Sequence, residues 1–423
     1  MGRNSKARRD ARKRNQTRQG HRPKGPTDSP FGFGDGPNMD PLPEAELHVV
    51  TQVRRLGPRG SEADARSRAQ YLRRLGFPSW TLRRAVRGVL ERVVATALRG
   101  GWTHAELLEA VDRVVGPGHR SVIAGLVLSV DPAGNNAFDG NTEGMTVEPP
   151  RNLKLADDAE LALALRLASL LAALPATVLP NRRRTPPGTS NGSRAAAGKL
   201  AQVRALLAKA EATTFPEEAE TLSAKAQELI SRHSLEELLV HDHQADDDRS
   251  SMTYRRLWLD APYVDAKASL VDQVARTNRC RSVYDPRLGF CTVVGSPFDL
   301  DALDLMVTSL LAQAQRAMLA HGSRIDVIGR SRTRSFRQSF LVSFAVHIGQ
   351  RLQRAADDSV IECGGSSLLP AIRDHEVEVD ELTTEMFPHV VSKGAAISNA
   401  EGWAGGRAAA ELARLSIFDE VNS

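Results

Sequence analysis

Residues 198–243 read GKLAQVRALLAKAEATTFPEEAETLSAKAQELISRHSLEELLVHDH, and the architecture of the chain is organised around them. Leu200, Val203, Leu206, Leu207 and Ala210 recur at helical spacing and form one apolar stripe. Thr213 and Thr214 break the run. Thr214 stands three residues before Glu217, a capping-box spacing, and Pro216 is tolerated in a first helical turn. The next helix turns Leu222, Ala226, Leu229 and Ile230 inward. Glu217, Glu218 and Glu220 crowd its N-terminal end, where the helix dipole favours negative charge. Ser234 and Glu237 repeat the capping spacing and predict a short third helix. Ala205, Ala208, Ala219, Ala224 and Ala226 are small enough to let the two long helices approach closely. The reading is an antiparallel helical hairpin.

No residue of the hairpin is an evident catalyst. Lys199, Arg204, Lys209 and Lys225 read as a solvated face. His233, His241 and His243 invite a metal. His241 and His243 are two apart, however, and do not share a helical face, and no cysteine lies nearby. Asp242, Asp246, Asp247 and Asp248 read as a solvated acidic linker. Neither a metal nor a cofactor is expected.

The run VRALLAKAEATTFPEEAETLSAKAQELISRHSLEELL, residues 203–239, strongly resembles the bacterial and phage domain-of-unknown-function family numbered 2786. RSFRQSFLVSFAVHIGQRL at 334–352 and GWAGGRAAAELARL at 402–415 resemble the companion domain that usually follows in that family. The basic leader and GWTHAELLEAV look like its actinobacterial members. The resemblance implies a fold and a lineage. It brings no activity and no catalytic residues.

At 423 residues the chain can hold two or three domains. Aromatics are 5% while Ala, Leu and Arg abound, which favours helices over sheet. The formal net charge is +5, and its distribution matters more than its sum. Residues 1–25 hold ten Lys or Arg against one Asp, and the remaining 398 residues hold 46 basic and 50 acidic groups. The globular part is therefore not basic. The three cysteines, Cys280, Cys291 and Cys363, form no CxxC pair and suit reduced thiols in a cytosol. No stretch approaches a membrane span, and the N-terminus lacks an apolar signal core. The cytoplasm is the expected compartment.

In order along the chain, residues 1–40 read as a disordered basic arm, with Arg8, Arg9, Arg12, Lys13 and Arg14 as its densest cluster. Residues 42–130 read as a small helical domain. Ala63–Leu75 is its first clear helix and Leu82–Leu98 its second, the latter decorated by Arg83, Arg84, Arg87 and Arg92. Thr103 and Glu106 make a capping box for the next. Helix, turn and helix of this size occur in DNA-binding folds and equally in bundles, and no turn signature decides between them. Trp80 and Trp102 read as core edges rather than stacking platforms. Residues 131–197 are linkers around one helix, Asp157–Leu174. After the hairpin, residues 252–418 read as a small α+β domain. It comprises a strand at Thr253–Leu259, a helix at Ala266–Thr277, a β-hairpin about Asp285–Gly289, and a long helix at Asp299–His321. Glu376–Leu382 alternates acidic and apolar residues and reads as a strand whose carboxylates face water. The fold class is mainly α with a small α+β C-terminal domain.

Ser335–Ala355 is the most informative helix of that domain. Phe336, Phe340, Leu341, Phe344, Ile348 and Leu352 share one broad apolar face, and Arg337 projects into its middle. An Arg there is costly unless paired. It either meets an Asp or Glu of the same domain or offers its planar fork to a phosphate or carboxylate ligand. Arg324, Arg330, Arg332 and Arg334 precede it, against Asp326 alone. Gly402, Gly405 and Gly406 at the start of the last helix suit close approach to another helix.

Three functions follow. The favoured one is a non-catalytic nucleic-acid-associated protein, binding through the basic arm and the 324–337 region, with Arg330, Arg332, Arg334 and Arg337 docking on phosphates. The second is an interaction or scaffold protein that presents the 198–240 hairpin to a protein partner. The third is an enzyme, although HExxH, a P-loop, a G-x-S-x-G elbow and a Cys/His pairing are all missing from the sequence. No membrane partner is expected.

Overall fold

The computed structural model describes residues 40–116, 118–132, 153–177, 191–213, 215–242, 252–323, 331–391 and 399–412. Among these the chain is mainly helical, with thirteen α-helices and one three-stranded antiparallel sheet in the C-terminal half. No helix among the described residues is long and apolar enough to cross a membrane.

The N-terminal half starts one helix earlier than its pattern suggests. α1 (Leu42–Leu56) buries Ala45, Val49, Val53 and Leu56, small residues interleaved with Glu44, Glu46, His48 and Arg54, which dilute the apolar signal. α2 (Glu62–Arg74) is capped by Ser61, whose Oγ accepts from the Asp64 amide at 3.1 Å. α3 (Ser79–Arg99) follows. α4 (His104–Val114) opens on the expected capping box of Thr103 and Glu106. α5 (Arg120–Val130) and α6 (Asp158–Ala172) complete a bundle around Leu72, Leu90, Leu107, Ile123, Leu161 and Leu165.

α7 (Asn191–Ala212) and α8 (Pro216–Asp242) are the two arms of the hairpin. Val203, Leu207, Ala210, Ala226 and Ile230 are buried, as their spacing requires. Ala205 and Ala208 face solvent, so the small residues that pack are Ala210, Ala219 and Ala226. Thr214 lies outside the described residues. Thr213 holds the turn, its hydroxyl accepting from the Phe215 amide at 3.2 Å and donating to the Glu218 carboxylate. The expected third helix is a continuation of α8. Ser234 is buried and accepts a hydrogen bond from Arg279 Nη2 at 2.8 Å, so its hydroxyl serves a tertiary partner instead of a helix start.

The C-terminal half runs β1 (Thr253–Trp258), α9 (Val264–Thr277), β2 (Arg281–Asp285), β3 (Phe290–Gly295), α10 (Pro297–Ala320), α11 (Thr333–Glu362), α12 (Leu369–Met386) and α13 (Ala400–Leu412). The strand order is β1-β3-β2, with Thr253 opposite Gly295 and Arg281 opposite Val294. Asp285 closes the β2–β3 turn, its Oδ1 accepting from the amides of Arg287 at 2.8 Å and Leu288 at 3.1 Å. Glu376–Leu382 is not a strand but the middle of α12. His375, Val379, Leu382 and Met386 share its buried face at helical spacing, while Val377 remains exposed.

The sheet is covered on both sides. Cys291 and Val293 of β3 face a core built by α9, α10 and α11. The opposite side is divided. Val294 packs with Val379, Leu382 and Met386 of α12, while Phe290 enters the core of the N-terminal bundle. Trp102 stands edge-on to Phe290 with centroids 5.7 Å apart, and its Nε1 donates to the Pro175 carbonyl at 2.8 Å. Arg256 of β1 lies over the Trp102 ring at 3.9 Å and donates to Glu106 Oε2 at 2.7 Å. The same oxygen accepts from the Thr103 amide at 2.9 Å, so the α4 capping box is also the counter-charge of the joint. Tyr254 donates to the Gly101 carbonyl at 2.5 Å. A Cβ on Gly101, which has φ +82°, would fall 2.3 Å from the Thr177 carbonyl oxygen.

α13 seats on α11 through glycine. A Cβ on Gly402 would lie 2.3 Å from the Phe336 carbonyl oxygen, and one on Gly406 2.2 Å from that of Phe340, whereas Gly405 meets only Phe ring edges at 3.5 Å. The expected close helix approach is thus made by Gly402 and Gly406. Gly406→Ala should destabilise the fold by about 1–3 kcal/mol. Gly405→Ala should be neutral or stabilising by up to about 1 kcal/mol from helix propensity. Urea midpoints of the two variants check the pair, and equal midpoints would contradict the close contact. At the joint, Arg256 has no exposed side-chain surface while Glu106 retains 23%. Glu106→Gln therefore strands the deeper charge and should cost about 3 kcal/mol. Arg256→Met keeps the stem on Trp102 and leaves a carboxylate that water reaches, so it should cost less. Chemical denaturation in which Arg256→Met proves the more damaging of the two refutes this ordering.

Candidate functional site

The basic residues singled out in the sequence divide sharply. Arg8, Arg9, Arg12, Lys13, Arg14, Arg324 and Arg330 lie outside the described residues. Arg332 and Arg334 are exposed at the start of α11, whose first turn holds no acidic residue. The Arg332 carbonyl accepts from the Phe336 amide at 2.9 Å and from Ser335 Oγ at 3.0 Å, which fixes the backbone of that turn. Arg337 is half-buried, between the buried Phe336 and Phe340. Its Nε is buried without a hydrogen-bond partner, and among the described residues no carboxylate pairs with its guanidinium. Of the two readings open for Arg337, the intradomain ion pair is therefore not made within the described residues. His321, at the end of α10, closes the neighbourhood, its ring 5.6 Å from Phe336 and 5.4 Å from Phe340.

Several other arginines against packed elements face a carboxylate. Arg281 pairs with Asp380, Arg232 with Glu362 at 2.8 Å, Arg255 with Asp301 and Asp304, and Arg256 with Glu106. Arg337 has no such carboxylate among the described residues, and the more deeply buried Arg279 bonds only to a hydroxyl.

A second arrangement, largely invisible in the sequence, lies between the hairpin and the α+β domain. Along α8, Ser223, Gln227, Ser231 and Ser234 are all buried. Gln227 Nε2 donates to Ser231 Oγ at 3.1 Å and to Asn278 Oδ1 at 3.0 Å, and Gln313 Nε2 donates to Ser223 Oγ at 3.2 Å. The turn after α9 puts Arg279 in the left-handed region at φ +55°, buried against Ser234. Asp299 at the start of α10 accepts from Ser296 Oγ at 2.8 Å through Oδ2, while its Oδ1 is buried without a partner. His233 stands edge-on to Phe298 at 4.3 Å, its ring nitrogens without a hydrogen bond and Nδ1 3.9 Å from Glu236 Oε2, and Nδ1 of His375 is likewise buried without a hydrogen bond. All four of these charged or titratable side chains belong to residues under a tenth exposed. Among the described residues, no group of three or more His, Cys, Asp or Glu is placed to hold a metal.

The signal that could have revealed His375 is helical spacing, since His375, Val379, Leu382 and Met386 recur three or four residues apart. Reading the segment as alternating hid it. Nothing local marks Arg279, whose partner Ser234 lies 45 residues away, while Asp299 is locally legible only as the partner of its cap Ser296.

Cys280 and Cys291 are not activated nucleophiles. Burial pushes the Cys280 thiol well above its usual range and the Cys291 thiol up to about 12. A thiol in that state is not a thiolate at neutral pH. Both are small core residues, as their positions beside the β-hairpin suggested.

Desolvation holds His375 below its ordinary pKa, against the pull of Asp299 and with Arg279, Glu378 and Glu376 also acting on it. A base with a depressed native pKa binds its proton more readily in the unfolded chain. Its contribution is fully present above the unfolded value of about 6.5 and is lost as pH falls from there toward the native value. Urea unfolding between about pH 7.5 and about pH 5.5 should show wild type losing more stability on acidification than His375→Gln. Parallel losses in the two proteins would assign the acid sensitivity elsewhere.

Residues 198–237 match the family model described as "Protein of unknown function (DUF2786)". The hairpin is a module of that family. The match stops short of 334–352 and 402–415, where resemblance to a companion domain was expected. Comparison with curated proteins and with solved structures found no match.

Proposed function

We propose that this chain, whose α7–α8 hairpin is a DUF2786 module, is a non-catalytic nucleic-acid-associated protein. It takes phosphates through the basic arm around Arg8, Arg9, Arg12, Lys13 and Arg14 and through Arg330, Arg332, Arg334 and Arg337. The observation that carries this reading is Arg337, a half-buried guanidinium with no carboxylate among the described residues, beside the exposed Arg332 and Arg334. A planar fork held by a packed helix and short of a counter-charge is suited to a phosphate. Phosphate binding of this kind releases counterions and is steeply salt-dependent.

The scaffold alternative needs an apolar stripe left open on 198–240. Val203, Leu207, Ala226 and Ile230 are instead buried in a core shared with α9, α10 and α11. The enzyme alternative gains no support from Cys280 or Cys291, whose thiols burial pushes up.

The test is binding of the full-length chain, a Δ1–40 truncation and Arg337→Ala to labelled duplex and single-stranded DNA across a salt series. Full-length protein should bind with an affinity that falls steeply with salt. The truncation should retain weaker binding, and Arg337→Ala should weaken it further and reduce the salt slope by about one phosphate contact. No binding by any form would sink the proposal, and binding abolished by truncation alone would reduce it to a property of the arm.

A further inference from the structure

The first two turns of α3 display a face that neither the bundle core nor the proposed Arg337 site uses. Trp80, Arg83, Arg84 and Arg87 follow one another at intervals of three, one and three residues. At 100° per residue they fall within an arc of about 100°, over about 10 Å of helix. All four are exposed, Trp80 by 53%. This corrects its expected place at a core edge, and Trp102, expected there too, is fully buried.

The same stripe changes character further along the helix. Leu90, Val94 and Leu98 continue it and are buried. The bundle therefore covers this face only from Leu90 onward and leaves its start open. At the boundary, Arg87 borders a shallow recess floored by Leu90, Leu153 and Leu155, with Glu91 on its rim.

Two features separate this face from an ordinary solvated one. The first is charge. Arg92, which points about 120° away, is held by Glu46 at 2.8 Å. Arg83, Arg84 and Arg87 are exposed, show no ion pair among the described residues, and lie on a helix without an acid in its first turn. The second is the indole. Trp80 stands half in water beside three cations, and an unpaired base can stack on such a ring. Phosphates on either side of that base would meet the arginines. A duplex keeps its bases stacked and cannot offer one to Trp80.

We propose that Trp80, Arg83, Arg84 and Arg87 form a contact for single-stranded nucleic acid, with Trp80 stacking on one base and the arginines holding the flanking phosphates. This deepens the nucleic-acid reading and rests on it, but uses a different face, so the two can fail separately.

The experiment uses the full chain as wild type, Trp80→Ala, the triple variant Arg83→Ala/Arg84→Ala/Arg87→Ala, and Arg337→Ala. The probes are fluorescein-labelled oligo(dT), a labelled duplex of the same length, and heparin as a polyanion without bases. Circular dichroism and thermal midpoints confirm folding, which an exposed face should not disturb. Trp80→Ala should weaken oligo(dT) binding about tenfold, the scale of one base–aromatic stack, and leave duplex and heparin binding within about twofold. The triple variant should weaken all three probes and flatten the salt dependence. Wild-type indole fluorescence should be quenched by oligo(dT); Trp80→Phe should lose that quench with its indole yet keep most of the oligo(dT) affinity, because its phenyl ring can still stack. Wild-type protein that binds oligo(dT) while Trp80→Ala and the triple variant bind it equally well overturns this inference and leaves the function proposal standing. Equal losses of oligo(dT) and heparin binding in Trp80→Ala overturn the stacking role. If wild type binds neither DNA, both proposals fall together.

Discussion

Arg256 is the residue on which the two halves of the molecule depend. Its guanidinium is fully enclosed, lies 3.9 Å from the Trp102 ring, and reaches Glu106 at 2.7 Å. Its Nε and Nη2 find no hydrogen-bond partner, so stacking and the two bonds of Nη1, to Glu106 and to the Gly101 carbonyl at 3.3 Å, must offset most of its desolvation. Strand geometry explains how one short element serves two cores. In β1, Tyr254, Arg256 and Trp258 alternate with Arg255 and Leu257. The first set meets the N-terminal bundle, where Tyr254 bonds Gly101 and Trp258 packs on Phe290 at 4.9 Å. The second set turns to α10, where Arg255 pairs with Asp301 and Asp304. A sheet of three short strands is marginal by itself. Here it is held as the middle layer between a bundle and a helical cover.

What was legible in the sequence was local. The capping box of Thr103 and Glu106, the Asp285–Gly289 turn and the stripes of α7, α8 and α11 all depend on residues within a few positions of one another, and they appear as expected. What was illegible depended on distance. Glu106 was readable as a cap but not as the partner of Arg256, 150 residues on. Ser234 has the spacing of a helix start, and only the tertiary contact with Arg279 makes it an interior residue of α8. The misread segment of α12 shows a different failure. Glu376, Val377, Glu378, Val379 and Asp380 alternate over five residues, too short a run for period two to outweigh the helical spacing of His375, Val379, Leu382 and Met386. Of the candidate binding residues, Arg332, Arg334 and Arg337 lie among the described residues, and Arg330 and the arm lie outside them. Trp80 and Trp102 looked alike in the sequence because exposure of an aromatic depends on which neighbours cover it.

The hairpin is amphipathic in an unusual sense. One side of α8 is apolar, with Ala226 and Ile230 in the shared core. Another side is polar yet buried, and its hydroxyls and amide meet Asn278, Arg279 and Gln313. The cause lies in the turn it covers. Arg279 adopts a left-handed backbone and brings a guanidinium inside, and a buried turn of that kind needs polar neighbours. A purely apolar α8 would leave those groups stranded. The polar serine spacing of the hairpin is thus explained by a partner within the same chain, and the module is an integral wall of the C-terminal half.

Charge follows the same division between inside and outside. Beyond residue 25 the chain holds 46 basic and 50 acidic side chains. A surface with that balance exerts no general pull on a polyanion. Where cations meet packed elements they are largely neutralised, as at Arg281–Asp380 and Arg232–Glu362. The starts of α11 and α3 depart from this, presenting arginines without acids in the first turn of either helix. A polyanion drawn in by the arm would meet carboxylates over much of the folded surface and unmatched guanidinium groups at those two helix starts. Such a field favours docking at defined places over coating. On the proposed reading, affinity and register would come from different parts of the chain: the arm would supply attraction, screened within about 8–10 Å at physiological salt, and the two helix starts would fix where the bound chain comes to rest.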